Sequence, residues 1–184
     1  MGSALLFYLD ETLMIEEPAA VAAFAATAEF AATRHEIAPE LLASGARFRA
    51  RELWYAVFAD VAEALAGLAE SHPLAVVTNG AGCLQREKLA ASGLGDLFQS
   101  VVVSADLGVA KPDASVFRHA LGQLGVDSAD AVMVGDSIAK DVDGALAAGL
   151  AAVWVNRNRS SAPADRTDVI EISTLSDLKE ALGE

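Results

Sequence analysis

The sequence predicts an α/β fold: a doubly wound parallel sheet, interrupted after its first strand by a small helical insert. Three observations predict it. Short continuous apolar runs recur along the chain, as strands buried on both faces do. From Leu74 onward the runs alternate with helix-forming stretches, several closing on a glycine (Gly93, Gly125, Gly149), the residue favoured just past a helix end. The alternation fails between about residues 14 and 72, where alanine is frequent, β-branched residues are scarce and good helix formers dominate.

Taken in order, ALLFYL (4–9) has the length of a buried strand. The stretch from Met14 to Ser71 is punctuated by Pro18, Pro39 and Gly45 and reads as two or three helices, the last over about 48–70 with a break near 58–60. LAVVT (74–78) is a strand and GCLQREKLAASG a helix ending at Gly93. SVVVS (100–104) is a strand, and Pro112 to Leu124 a helix with proline at its first position. DAVMVG (130–135) is a strand, Ser137 to Ala148 a helix, and AAVWV (151–155) a strand. Beyond a polar loop with Ser160, Ser161 and Pro163, DVIEI (168–172) fits an edge strand and 175–182 a last helix. The expected organisation is a core domain of residues 1–13 and 73–184, with 14–72 as a helical cap.

Composition bounds the function. At 184 residues and 53% hydrophobic content the chain can bury a substantial core. Its formal net charge of −13 argues against a nucleic-acid binder, which needs a basic stripe to neutralise phosphates. A small anionic substrate or ligand stays compatible, because a local pocket can be positive on an acidic protein. Cys83 is the one cysteine, so no internal disulfide forms, as suits a reducing compartment. The N-terminus has no basic region followed by an apolar one, and no apolar run reaches the roughly 20 residues of a membrane span. The expectation is a cytoplasmic protein with a small-molecule partner, no nucleic acid and no membrane, its oligomeric state open, a homodimer included.

Ligands of open parallel sheets bind outside the carboxyl ends of the strands. Strand one ends in Tyr8-Leu9-Asp10-Glu11-Thr12, and strand two in Thr78-Asn79-Gly80. The third is followed by a loop that carries Lys111, and the fourth by Asp136-Ser137 with Asp141 a turn later. Each position has a plainer role: Thr78 or Asn79 as a helix N-cap, Ser137 as an N-cap, Asp141 as a charge near a helix start. Together, a hydroxyl, an amide, a lysine and three carboxylates at one sheet edge suit an anion beside a hard cation held by oxygens.

From Leu74 to Arg157 the chain resembles the haloacid dehalogenase-like (HAD) superfamily, in "VVTNG", "LGVAKPDASVF", "VGDSIAKDVDGALAAG" and "VWVNR", in the right order and spacing. It is most similar to the branch with a helical cap after the first motif, which holds small-molecule phosphatases and dehalogenases. The resemblance implies a Rossmann-like HAD core and a magnesium ion. It implies that Asp10 is the general acid/base, Thr78 binds the phosphoryl group with Thr12 and Asn79 at the same substrate site, and Lys111 steadies its charge. Asp136 and Asp141 would hold magnesium together with Asp10. The family's nucleophilic aspartate, which forms an aspartyl-phosphate, falls on Tyr8; Glu11 falls on a variable position.

Tyr8 is the serious departure. A carboxylate attacks phosphorus because it is ionised at neutral pH, whereas a tyrosine with its ordinary pKa of about 10 is phenolate to roughly one part in a thousand at pH 7. The ring is also larger, and magnesium loses an anionic ligand, which weakens its binding. Three readings follow: a different reaction with Asp10 or Tyr8 moving a proton; a catalytically inactive binding or scaffold protein; or an active-site variant of an ordinary magnesium-dependent phosphatase or dehalogenase, since Asp and Tyr codons differ by one base. The retention of Asp10, Thr12, Thr78, Lys111, Asp136 and Asp141 favours a pocket with a polar task.

Within the insert, Arg47 and Arg51 share a helix face beside Arg49 and read chiefly as solvated. Trp54, Tyr55 and Phe58 read chiefly as packing onto the core. Cys83 reads as a small buried residue, and His35, His72 and His119 show no ligand-like spacing.

Overall fold

The computed structural model describes residues 3–15, 57–160, 166 and 169–184. Six strands form one sheet: β1 (Ala4–Phe7), β2 (Leu74–Thr78), β3 (Ser100–Val103), β4 (Ala131–Gly135), β5 (Ala151–Val155) and β6 (Ile170–Ile172). Their order is β3-β2-β1-β4-β5-β6 and every pairing is parallel. The described helices are α1 (Val61–Ala69), α2 (Gly82–Ser92), α3 (Ser104–Leu107), α4 (Ala114–Leu124), α5 (Asp143–Ala148) and α6 (Leu178–Ala181).

Alternating side chains of the strands feed two separate cores. Leu5, Phe7, Leu74, Val76, Val132, Val134, Val153 and Val155 face one side, with Val61, Leu65 and Leu68 of α1 and Leu178 of α6. Leu6, Ala75, Val77, Met133 and Trp154 face the other, against Val116, Phe117, Ala120 and Leu121 of α4 and Ala145 of α5. Both faces are covered, which is why the strands read as unbroken apolar runs. Each fully buried Leu or Phe contributes about 1.5–3 kcal/mol.

Several local expectations are corrected. The first strand ends at Phe7, not residue 9, because the chain closes a tight loop there: Leu13 and Met14 N–H donate to Leu9 O, and Glu11 N–H to Met14 O. Glu11 sits at φ 53, in the left-handed region that costs a side-chain-bearing residue about 1–2 kcal/mol. Pro112 precedes α4; Asp113 is its N-cap and accepts the Ser115 N–H. The N-cap of α2 is Ala81, not Thr78 or Asn79. A single helical turn, α3, opens the 104–112 loop, so Ser104 begins a helix and is not the last residue of the strand. Before α5 lies one π turn (Ile138–Val142), with Ser137 capping it as expected. Cys83 is exposed, not buried.

Arg47, Arg49, Arg51, Trp54 and Tyr55 lie outside the described residues. Phe58 packs against the first core, with the Arg157 guanidinium 3.8 Å over its ring. Among the described residues, no helix is long and apolar enough to cross a membrane.

Candidate functional site

The strand order reverses direction between β1 and β4, and a crevice opens at the carboxyl ends of strands flanking such a point. Tyr8 follows β1 there and Asp136 follows β4. Thr12 joins the two sides, its hydroxyl 3.3 Å from Asp136 Oδ1. Tyr8 N–H still donates to Val134 O, so its backbone remains tied to β4. Its ring packs partly buried against the second core, under the Lys111 ammonium, which lies 3.8 Å from the ring centroid.

Lys111 is placed by Asn79. The Asn79 amide donates to Lys111 O and accepts the Lys111 N–H, at 3.1 and 2.9 Å, so one side chain clamps both polar groups of that residue. The buried ammonium then reaches Val77 O at 2.8 Å and Asp141 Oδ1 at 2.5 Å. Burial pushes the Lys111 pKa below the usual lysine value, and the Asp141 carboxylate opposes that shift. Asp141 is fully buried, and its second oxygen accepts the Ser137 N–H. This close approach requires Gly135, because a Cβ there would stand 2.5 Å from the Asp141 carboxyl.

Asp136 is anchored through its backbone, whose carbonyl accepts the Trp154 indole N–H at 2.8 Å. Its carboxyl is pushed up to about 6, first by desolvation and then by the charge of Asp141. Thr78 is fully buried, and among the described residues its hydroxyl makes one long contact, 3.4 Å to Asn79 O.

Asp10 is almost wholly buried, and both its oxygens are held. Lys88 Nζ lies 2.6 Å from Oδ1, and Gln85 Nε2 lies 3.0 Å from Oδ2. Both partners come from α2, three residues apart and therefore on one helix face. Gln85 Nε2 also donates to Asn79 O, while Gln85 Oε1 is the buried side-chain atom left without a partner among the described residues. Such an orphan acceptor costs about 1–3 kcal/mol.

The structure thus brings Tyr8, Asp10, Thr12, Thr78, Asn79, Lys111, Asp136 and Asp141 to one edge. It also adds Gln85 and Lys88, which the sequence reading gave no role. The sequence carried only a weak signal, a helix with few apolar positions (GCLQREKLAAS); that its buried face is Gln85, Lys88 and Leu89 is visible only in the structure. Arg157, the last residue of VWVNR, also joins the edge: its Nε and Nη2 donate to Thr12 O, and Nη1 meets both oxygens of Asp60 at 3.1 Å.

Residues 47–155 match the haloacid dehalogenase-like hydrolase family, and the chain belongs to that family. It is 47% identical over 125 residues to a phosphoserine phosphatase of Thermus thermophilus, covering 62% of this chain and 50% of that protein. The chain spans about half the length, or less, of the curated relatives it matches. The fold is similar to that of a HAD phosphatase from Thermococcus onnurineus, with TM-score 0.80, 28% identity and 98% coverage of both chains. A putative HAD hydrolase from Bacillus subtilis, solved bound to magnesium, shares the fold at TM-score 0.81 and 21% identity, covering 100% of this chain and 99% of its own.

The magnesium that the family resemblance brings can be tested against the donors present. Position 8 supplies no carboxylate, Asp141 has one oxygen on Lys111 and the other on Ser137 N–H, and Asp10 is held by Lys88 and Gln85. Among the described residues no group of three or more His, Cys, Asp or Glu is placed to hold a metal ion. This arrangement does not fit a fully ligated magnesium ion.

Proposed function

We propose that this chain is a hydrolase-fold protein acting on a small phosphorylated molecule, with Asp10 transferring the proton and no covalent intermediate on residue 8. The observation that carries the reading is Asp10 itself: a nearly buried carboxylate held through both oxygens at the edge where Thr12, Thr78, Lys111 and Asp136 converge. Relatives in the family that act on phosphate monoesters, such as the Thermus phosphoserine phosphatase, support the substrate class. In the step, a water oxygen bonds to phosphorus as the ester P–O bond breaks. The two oxygens lie in line on opposite sides of phosphorus, so Asp10 takes the water's proton while the leaving alkoxide is protonated by solvent. Thr78 and the Lys111 ammonium face the developing phosphoryl charge. Substrate selection falls to the helical cap expected over 14–72, most of which lies outside the described residues.

A second reading has its own observation. Lys111 is already matched by Asp141, Val77 O and the Tyr8 ring, so the pocket's cation is satisfied without a ligand, as suits a non-catalytic binding protein.

One screen separates them. Phosphate monoesters, beginning with p-nitrophenyl phosphate and phosphoserine, are assayed with magnesium on the parent chain, Asp10→Asn and Tyr8→Asp. The proposal expects turnover by the parent, a fall of about 100-fold or more in Asp10→Asn, and an acid-stable phosphoenzyme only in Tyr8→Asp, whose rate depends on magnesium. Undiminished turnover in Asp10→Asn, or a phosphoenzyme in the parent, sinks it. Ligand binding that survives Asp10→Asn, with no turnover of any ester, favours the second reading.

A further inference from the structure

Helix α2 presents the core with an amide and an ammonium where an apolar face is expected. Gln85 and Lys88 are 4% and 5% exposed, and both point at Asp10. Packing alone does not explain them. Leucine or methionine would fill the same volume without a buried charge and without the orphan Gln85 Oε1. The amide's orientation is fixed, because both partners of Nε2, Asp10 Oδ2 and Asn79 O, are acceptors, and turning it over would set oxygen against oxygen. Gly80 leaves the room: a Cβ there would stand 2.6 Å from Gln85 Nε2.

We propose that Lys88 and Gln85 are positioning residues for Asp10, fixing the rotamer and plane of its carboxylate from one face of α2. This rests on the reading of Asp10 as the proton-transfer group. Rotation about the Asp10 side chain breaks the ion pair to Oδ1, the hydrogen bond to Oδ2, or both. The carboxylate therefore meets the pocket in one orientation, as proton transfer to a bound reactant demands. Through Asn79 O the same amide ties Asp10 to the residue that clamps Lys111, so the acid/base and the pocket's cation are set by one connected group.

The test uses Lys88→Met, which keeps the stem and removes the charge, with Lys88→Arg as the conservative variant and Gln85→Met as an independent break at Oδ2. Crystal structures and steady-state kinetics on p-nitrophenyl phosphate are read for each, in the parent chain and in Tyr8→Asp. Lys88→Met is expected to release Asp10 from its orientation and lower kcat about 100-fold, with KM within about threefold. Lys88→Arg should keep the orientation and recover most of kcat. Asp10 unmoved in the Lys88→Met crystal, kcat unchanged, or no recovery with arginine overturns the proposal. If Lys88→Met does not fold, Gln85→Met decides by the same readouts. Asp10→Asn with full turnover would instead overturn the role of Asp10, while the crystal comparison still decides whether Lys88 orients it.

Discussion

Asp136 and Asp141 share a space from which water is largely removed, and the consequence falls on Asp136. Asp141 is compensated by Lys111 and the Ser137 N–H, whereas Asp136 has its own backbone N–H and a long hydrogen bond from Thr12, too little to offset its desolvation. Its carboxyl therefore titrates at about 6 in the folded chain, against 3.8 ordinarily. Between those values the folded chain binds more protons than the unfolded one, so this group makes stability fall as pH rises through the window. With chelator present, the parent should lose stability relative to Asp136→Asn as pH goes from about 4 to about 6, read as a widening difference in melting temperature. A difference that stays constant over that range removes the assignment. The sequence marked both aspartates as an acidic pair. It did not show which would be strained, because that depends on Lys111, 30 residues earlier in the chain, reaching one and not the other.

At the scale of elements, the strands were the most legible part. Runs such as LAVVT and AAVWV match β2 and β5 residue for residue, since burial on both faces demands apolar side chains throughout. Element ends were less legible. Asp113 caps α4 where the proline signal pointed two residues earlier, and the π turn that delivers Asp141 has no sequence signature of its own. Helix α2 was legible as a helix, but its polar inner face made sense only once Asp10 was seen beside it. Close contact between α4 and α5 rests on Gly144, where a Cβ would stand 2.9 Å from both the Phe117 ring and the Pro112 backbone. Phe117 is fully buried and the other contact is backbone, so neither gives way cheaply. Gly144→Ala should therefore destabilise by about 1–3 kcal/mol in denaturant unfolding. A variant as stable as the parent would show that the two helices separate freely.

At the scale of the whole molecule, one residue ties together stretches that the sequence keeps far apart. The chain leaves the sheet through 10–14 and returns through 57–60, and Met14 bridges to both Asp10 and Val57 where the two strands of chain meet. Arg157, from the loop after β5, holds both: its guanidinium donates to Thr12 O and to the Asp60 carboxylate, and lies over the Phe58 ring. Asp60 in turn accepts the Leu175 N–H at 2.6 Å, which brings in the C-terminal segment. Both side chains of the ion pair are largely buried, at 11% and 17% exposure, so removing one leaves the other desolvated without its partner. Arg157→Ala should cost about 3 kcal/mol, far above the 0–1 kcal/mol of an exposed pair. The proper measurement is a double-mutant cycle in denaturant with Asp60→Ala, since Asp60 also serves Leu175 and each single change disturbs more than the pair. A coupling of about 1–3 kcal/mol is expected. Single effects that add to within about 0.3 kcal/mol would mean that Arg157 contacts these segments without holding them together. In that case the first-strand loop carrying Asp10 and Thr12 is fixed by its own backbone hydrogen bonds and by the partners of those two side chains, Lys88, Gln85 and Asp136.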